Sequence, residues 1–312
     1  MFLKYLYNFD FIKTHKIAFG LSVLLICTSF IGLAFKGLNF GIDFTGGLLF
    51  EVKIEQKNID TSEVREAFNQ NSFKDINIQN FGKNGLMIRV SQDELSKKSE
   101  SNKVGREKTI NSVKKILNDL YGDNVVYDKV DFVGPQIGAE LIIKGILALF
   151  CAFIAIMFYI WIRFEWQFGL GAVLALIHDV ILTMGLFSWF QIEFDLTSVA
   201  AILTIVGYSI NDSVVIYDRI RENLHKYKKR EMPDILNISI QSTLSRTFLT
   251  AGTTIVALLA LVFFGGTVLH GFSISVLFGV IIGTYSSIYI SAPVLLYIKI
   301  DNIYHKKHGQ IN

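Results

Sequence analysis

The chain has 312 residues, of which 51% are hydrophobic and 18% charged, with a formal net charge of +3. Its mean hydropathy of +0.43 excludes an ordinary soluble two-domain protein and marks a polytopic membrane protein. So small a charge excess gives no footing for nucleic-acid binding, and the only two cysteines, Cys27 and Cys151, lie in apolar runs and exclude a disulfide framework or a cysteine metal centre.

A membrane helix needs about 20 mainly apolar residues to cross a hydrocarbon core of roughly 30 Å. Within residues 1–36 the stretch Ile17–Phe35 qualifies, behind Lys4, Lys13 and Lys16. It lacks a small-x-small cleavage site and runs straight into a folded-looking domain, so it reads as an uncleaved anchor. Residues 37–138 then form one extracytoplasmic (periplasmic) domain. "LLFEVKI" predicts a strand and "TSEVREAFNQ" a helix opened by a Thr or Ser cap; "INIQNF" and "GLMIRV" are strands around "GKNG". Lys97–Gly105, rich in Ser and Lys, is expected to be a loop. "REKTINSVKKILNDLYG" is an amphipathic helix ending at Gly122, and "NVVYDKVDFVG" closes as a strand. The order β-α-β-β-α-β predicts a ferredoxin-like α+β domain. It holds no histidine and no cysteine, and no enzyme chemistry is expected in it.

Residues 139–298 carry five more apolar stretches: Leu141–Ile162, Phe168–Phe190, Leu196–Tyr217, Phe248–Phe264 and Phe272–Ile298. A basic cytoplasmic loop, 218–247, separates the fourth span from the fifth, and 299–312 form a tail with Lys306 and Lys307. Lysine and arginine cluster before the first span, at Arg163, in the basic loop and in the tail, whereas "QIEFD" and "GGTVLHG" have none. Both termini are therefore expected in the cytoplasm. Three prolines in the whole chain predict long uninterrupted helices.

Charged groups inside a membrane span are costly and mark functional sites. Asp212 lies about 25 Å along the fourth helix from Asp195, at 1.5 Å per residue. Thr204 and Tyr208 precede it at i−8 and i−4 and put hydroxyls on its face, as a proton path requires and as helix packing also uses. Arg246 lies about 30 Å along the fifth helix from Gly266, a matching depth within about one turn, so an Asp212–Arg246 ion pair is expected. Thr250, Thr253 and Thr254 continue its face. Arginine keeps its proton, so in a relay Asp212 carries it and Arg246 tunes the carboxylate; the alternative is a pair that only fixes helix register. His178 and Asp179, adjacent near the middle of the third helix, point about 100° apart and make no metal site by themselves. They are either a buried polar contact or an accessory relay. Ser275, Gly279, Gly283, Ser287 and Ser291 form a small-residue stripe for close helix packing, and Glu140 and Lys144 an i,i+4 pair.

Four motifs, in order, span the chain: "GIDFTGG" after the first helix, "HDV" in the third, "GYSINDSVVIYDRIREN" ending the fourth, and "SRTFLTAGTT" in the fifth. Together they resemble the SecF proteins, protein-export membrane subunits of the SecD/SecF family in the resistance-nodulation-division superfamily. The resemblance implies six membrane helices with one outer domain, in a bacterial inner membrane. It implies a SecD partner with its own six-helix bundle, association with the SecYEG channel and with YajC, and preproteins first driven in by SecA. It implies use of the proton-motive force, with protons as coupling ion and no other cofactor. The family's proton-relay aspartate falls on Asp212 and its arginine on Arg246; the residues themselves, apart from the resemblance, offer His178, Asp179, Tyr208 and Thr204 as accessory candidates. Gly41, Asp43, Gly46 and Gly47 carry the family signature. A non-conducting scaffold for SecD or the channel is the alternative reading.

Overall fold

A computed structural model describes residues 9–54, 60–73, 76–81, 84–91 and 103–298. Lys4, residues 97–102 of the expected loop, the Gly82–Lys83 turn residues and the tail from 299 onward lie outside the described residues. Two compact units emerge, one of residues 40–146 and one of the remainder.

The first unit opens with a single helical turn, Ile42–Thr45, which Gly41 precedes in extended conformation. Gly46 (φ 71°) and Gly47 (φ 123°) then turn the chain into the sheet through backbone angles that side chains with a Cβ resist. The glycine-rich signature is thus a corner. Strand β1 (Gly47–Ile54) leads to α2 (Thr61–Gln70), β2 (Ile76–Phe81), β3 (Gly85–Ser91), α3 (Lys103–Tyr121) and β4 (Val125–Val133), with α1 reserved for the span Phe11–Phe35. The helix α2 is capped by Asp60, whose carboxylate accepts the Ser62 N–H at 2.8 Å. The cap falls one residue before the expected Thr or Ser, because a carboxylate caps as well as a hydroxyl does. The helix α3 begins at Lys103, inside the stretch expected to be a loop; lysine and serine are tolerated in a helix that buries an apolar face elsewhere.

The sheet order is β2-β3-β1-β4, every pair antiparallel. Phe50 of β1 sits opposite Ile88 and Val130. Alternation puts Leu48, Phe50, Val52 and Ile54 on one face, packed with Val64 and Phe68 of α2 and with Val113 and Leu117 of α3. The other face carries Leu49 and Met87, covered by Ile42, and a buried Glu51. Burial pushes the Glu51 carboxyl up, against the pull of Lys129. A raised carboxyl contributes stability below its unfolded pKa and loses it as pH rises through the folded value. Glu51→Gln should therefore flatten the pH dependence of amide protection in β1 and protect those amides better at neutral pH; unchanged protection in hydrogen exchange contradicts this.

The second unit is helical. Its elements are α1 (Phe11–Phe35), α4 (Pro135–Arg163, from 147 on), α5 (Trp166–Phe190), α6 (Leu196–Lys226), α7 (Met232–Phe264), α8 (Gly266–Ser286), a π-helical turn (Ser287–Ser291) and α9 (Ala292–Tyr297). Among the described residues six helices, with α8 to α9 counted as one from Leu269 to Tyr297, are long and apolar enough to cross a membrane. Asp195 and Ser198 cap α6 reciprocally. The basic segment 218–247 is helical apart from Tyr227–Glu231. Charge ends the apolar pattern there without ending the helix, since lysine, arginine and glutamate are good helix formers.

Aromatic packing anchors one end of the bundle, where Tyr217 of α6 sits edge-on against Phe168 and Phe164. The small-residue stripe of α8 lies against α6: a Cβ on Gly279 would sit 2.3 Å from the Ile205 side chain, and one on Gly283 3.1 Å from that of Ser209. Gly279→Ala should cost about 1–3 kcal/mol by overpacking, read as a lower thermal midpoint in detergent, and Ile205→Ala should restore part of it. The exposed pair Lys144–Glu140 closes at 2.7 Å. From 147 on, most residues of α4 are exposed within this chain, while Ile160 is buried.

Candidate functional site

Two aspartates lie buried in the helical unit, and their surroundings differ completely. Asp212 projects from α6, 3% exposed. Its Oδ2 is buried and meets no hydrogen-bond donor among the described residues. One turn earlier, the Tyr208 hydroxyl is also buried and unpartnered. Thr204, expected to continue the stripe, is exposed and returns its hydroxyl to Ala200 O at 2.8 Å. Only Tyr208 accompanies the carboxylate as a free polar group on that face.

Arg246 is exposed on α7, and the ion pair expected from matching depths is not closed among the described residues. Helical rise fixes the level of a side chain, but the rotation of each helix decides whether two side chains meet. Thr250 and Thr254, with Thr253, donate to carbonyls of their own helix, Thr250 to Arg246 O at 3.0 Å. They are internally satisfied and lead nowhere. An ionised carboxylate buried without partners is expensive, and among the described residues no donor holds Oδ2 of Asp212 in the ionised form.

Asp179, on α5, is fully buried and fully engaged. Its Oδ2 accepts the hydroxyls of Ser209 from α6 at 2.5 Å and Ser286 from α8 at 2.8 Å. Its Oδ1 pairs with His178 Nδ1 at 2.9 Å. His178 and Asp179 contact each other, and the Asp179 carboxylate ties three helices together. Ser209 and Ser286 are not legible in the sequence as partners, since they lie 30 and 107 positions from Asp179. The one signal was Ser209 lying three residues before Asp212, on the face of α6 that turns inward. Among the described residues no group of three or more His, Cys, Asp or Glu side chains could hold a metal ion.

Comparisons with known proteins give a consistent picture. Residues 112–301 match the family described as "Protein export membrane protein SecD/SecF, C-terminal", and residues 31–57 the "SecD/SecF GG Motif". The chain is 48% identical over 289 residues to "Protein translocase subunit SecF" of Rickettsia bellii, covering 92% of each chain. To the protein of the same description from Rickettsia prowazekii it is 47% identical, over 92% of this chain and 90% of that one. Among solved structures it is similar to SecDF, "a translocon-associated membrane protein", from Thermus thermophilus. That match has a TM-score of 0.82 at 32% identity, over 93% of this chain but only 38% of that one. A second SecDF structure, in a "Super-membrane-facing form", matches with a TM-score of 0.67 at 30% identity, over 97% of this chain and 40% of that one. The chain thus spans about two fifths of the SecDF chains it resembles.

Proposed function

Because this multi-pass membrane chain belongs to the SecD/SecF family of protein-export membrane proteins, we propose that it is the SecF-type part of a proton-driven export unit. In this reading Asp212 takes up and releases the coupling proton. The observation that carries it is the unpartnered, buried Oδ2 of Asp212, set against an Asp179 satisfied on both oxygens.

Partnership with a SecD-type chain is supported by the solved SecDF proteins, of which this chain matches 38% and 40%. It is also supported by the exposure of α4 and of Arg246, surfaces that a second bundle would cover. Association with the translocon is supported by the description of the Thermus relative. The lysine-free and arginine-free loops support cytoplasmic termini and an outer location for residues 37–138.

The coupling step follows from electrostatics. Protonation removes the charge of Asp212 and with it the attraction toward Arg246, so α6 and α7 repack against their neighbours. One charge crossing 100 mV is worth about 2.3 kcal/mol, enough to shift a two-state equilibrium about fifty-fold. That suffices to bias a bistable helix arrangement in each cycle.

Vesicles holding the chain with its SecD-type partner, loaded with a pH-sensitive dye, test this. The expected result is a proton flux that Asp212→Asn eliminates while the two chains still co-purify. Equal flux in the variant points to a non-conducting scaffold.

A further inference from the structure

His178 sits midway along α5, 3% exposed. Its Nδ1 lies 2.9 Å from Asp179 Oδ1. The other oxygen of that carboxylate already receives two serine hydroxyls. A carboxylate so placed only accepts, which puts the ring proton on Nδ1 and leaves Nε2 as the basic nitrogen. Nε2 is buried and has no hydrogen-bond partner among the described residues. Beside the ring stands Tyr285, centroids 6.1 Å apart. Its hydroxyl reaches the Ala18 carbonyl at 2.7 Å and the Ser22 hydroxyl at 3.0 Å. Polar contacts thus run from α1 to Tyr285, whose ring lies beside the imidazole.

We propose that His178 is a second proton-binding site of the bundle, oriented by Asp179 and flanked by the ring of Tyr285. The proposal rests on the proton-coupled reading above. One proton binds the Nε2 lone pair, the Nδ1 proton stays in place, and the Asp179–His178 pair passes from a net charge of −1 to neutral.

The elements packed on α5 present few competing groups. Tyr285 and Ser286 come from α8, Ser209 from α6 and Ser22 from α1. Tyr289 of the π-helical turn stacks on Tyr285, and His15 of α1 is engaged with Tyr297 of α9. Asp212 follows Ser209 by three residues on α6. A charged His178 draws Asp179 toward itself and weakens its hold on Ser209. Protonation at His178 thereby biases the setting of the helix that carries Asp212.

The test is nitrogen NMR on ¹⁵N-histidine-labelled full-length chain, with its partner, in lipid nanodiscs from about pH 5 to about pH 9. The His178 signals are assigned by their loss in His178→Gln. The expected result is an Nδ1 protonated throughout and an Nε2 that passes from mostly bare to mostly protonated on acidification. In Asp179→Asn the Nδ1–H preference should fall. An Nε2 that stays bare across the range, or an Nδ1 without its proton, overturns the proposal. The two readings fail separately. A bare Nε2 together with export lost in Asp212→Asn removes this site alone; a titrating Nε2 together with full export in Asp212→Asn removes the coupling reading alone.

Discussion

Asp212→Asn should leave the protein folded and partnered while reducing gradient-dependent export to the level seen with the gradient collapsed. The substitution preserves shape and removes only the titrating proton. Oδ2 has no donor to lose among the described residues, so the fold should tolerate the amide within about 1 kcal/mol. A stability cost beyond that, with export lost in proportion, would mean that Asp212 serves structure. The measurement pairs export into vesicles, with and without an imposed gradient, with the thermal midpoint of the purified complex.

Asp179→Ala should behave in the opposite way. Removing this carboxylate takes the acceptor from the Ser209 hydroxyl and the Nδ1 proton of His178, and leaves the Ser286 hydroxyl only the Gly283 carbonyl at 3.2 Å, at a point where α5, α6 and α8 meet. Stripping one partner from a buried charged network costs about 3–5 kcal/mol, a large share of the stability of any domain. Asp179→Asn should fall between, since its amide oxygen can keep one set of donors while its NH₂ faces the other. Thermal unfolding in detergent reads both. A drop of less than about 1 kcal/mol for Asp179→Ala would show that the network is not what holds the three helices.

Apolar run length made the six spans legible, and alternation made the β-α-β-β-α-β succession legible, because both patterns are local. Rotation about a helix axis is not local. Depth along α6 and α7 suggested an Asp212–Arg246 pair, yet it could not foresee Arg246 turned outward or Thr204 returned to its own backbone. Those settings depend on contacts such as Gly279 against Ile205, which join residues far apart in the chain. The partners of Asp179 were hidden for the same reason, since Ser286 lies 107 positions away. The extent of α6 and α7 was hidden differently: the hydropathy pattern stops where the apolar environment does, and the backbone hydrogen bonds continue into water. Composition drew attention to the buried aspartates, and packing alone separates the anchored one from the free one.

The most direct test is infrared difference spectroscopy on the chain with its partner in sealed vesicles, recorded with a proton gradient imposed and then collapsed. A carboxylic acid C=O band that appears and disappears with the gradient in the wild type, and is missing in Asp212→Asn, is the predicted result. A spectrum in which Asp212 keeps one ionisation state under both conditions would contradict a proton-driven role for this carboxylate.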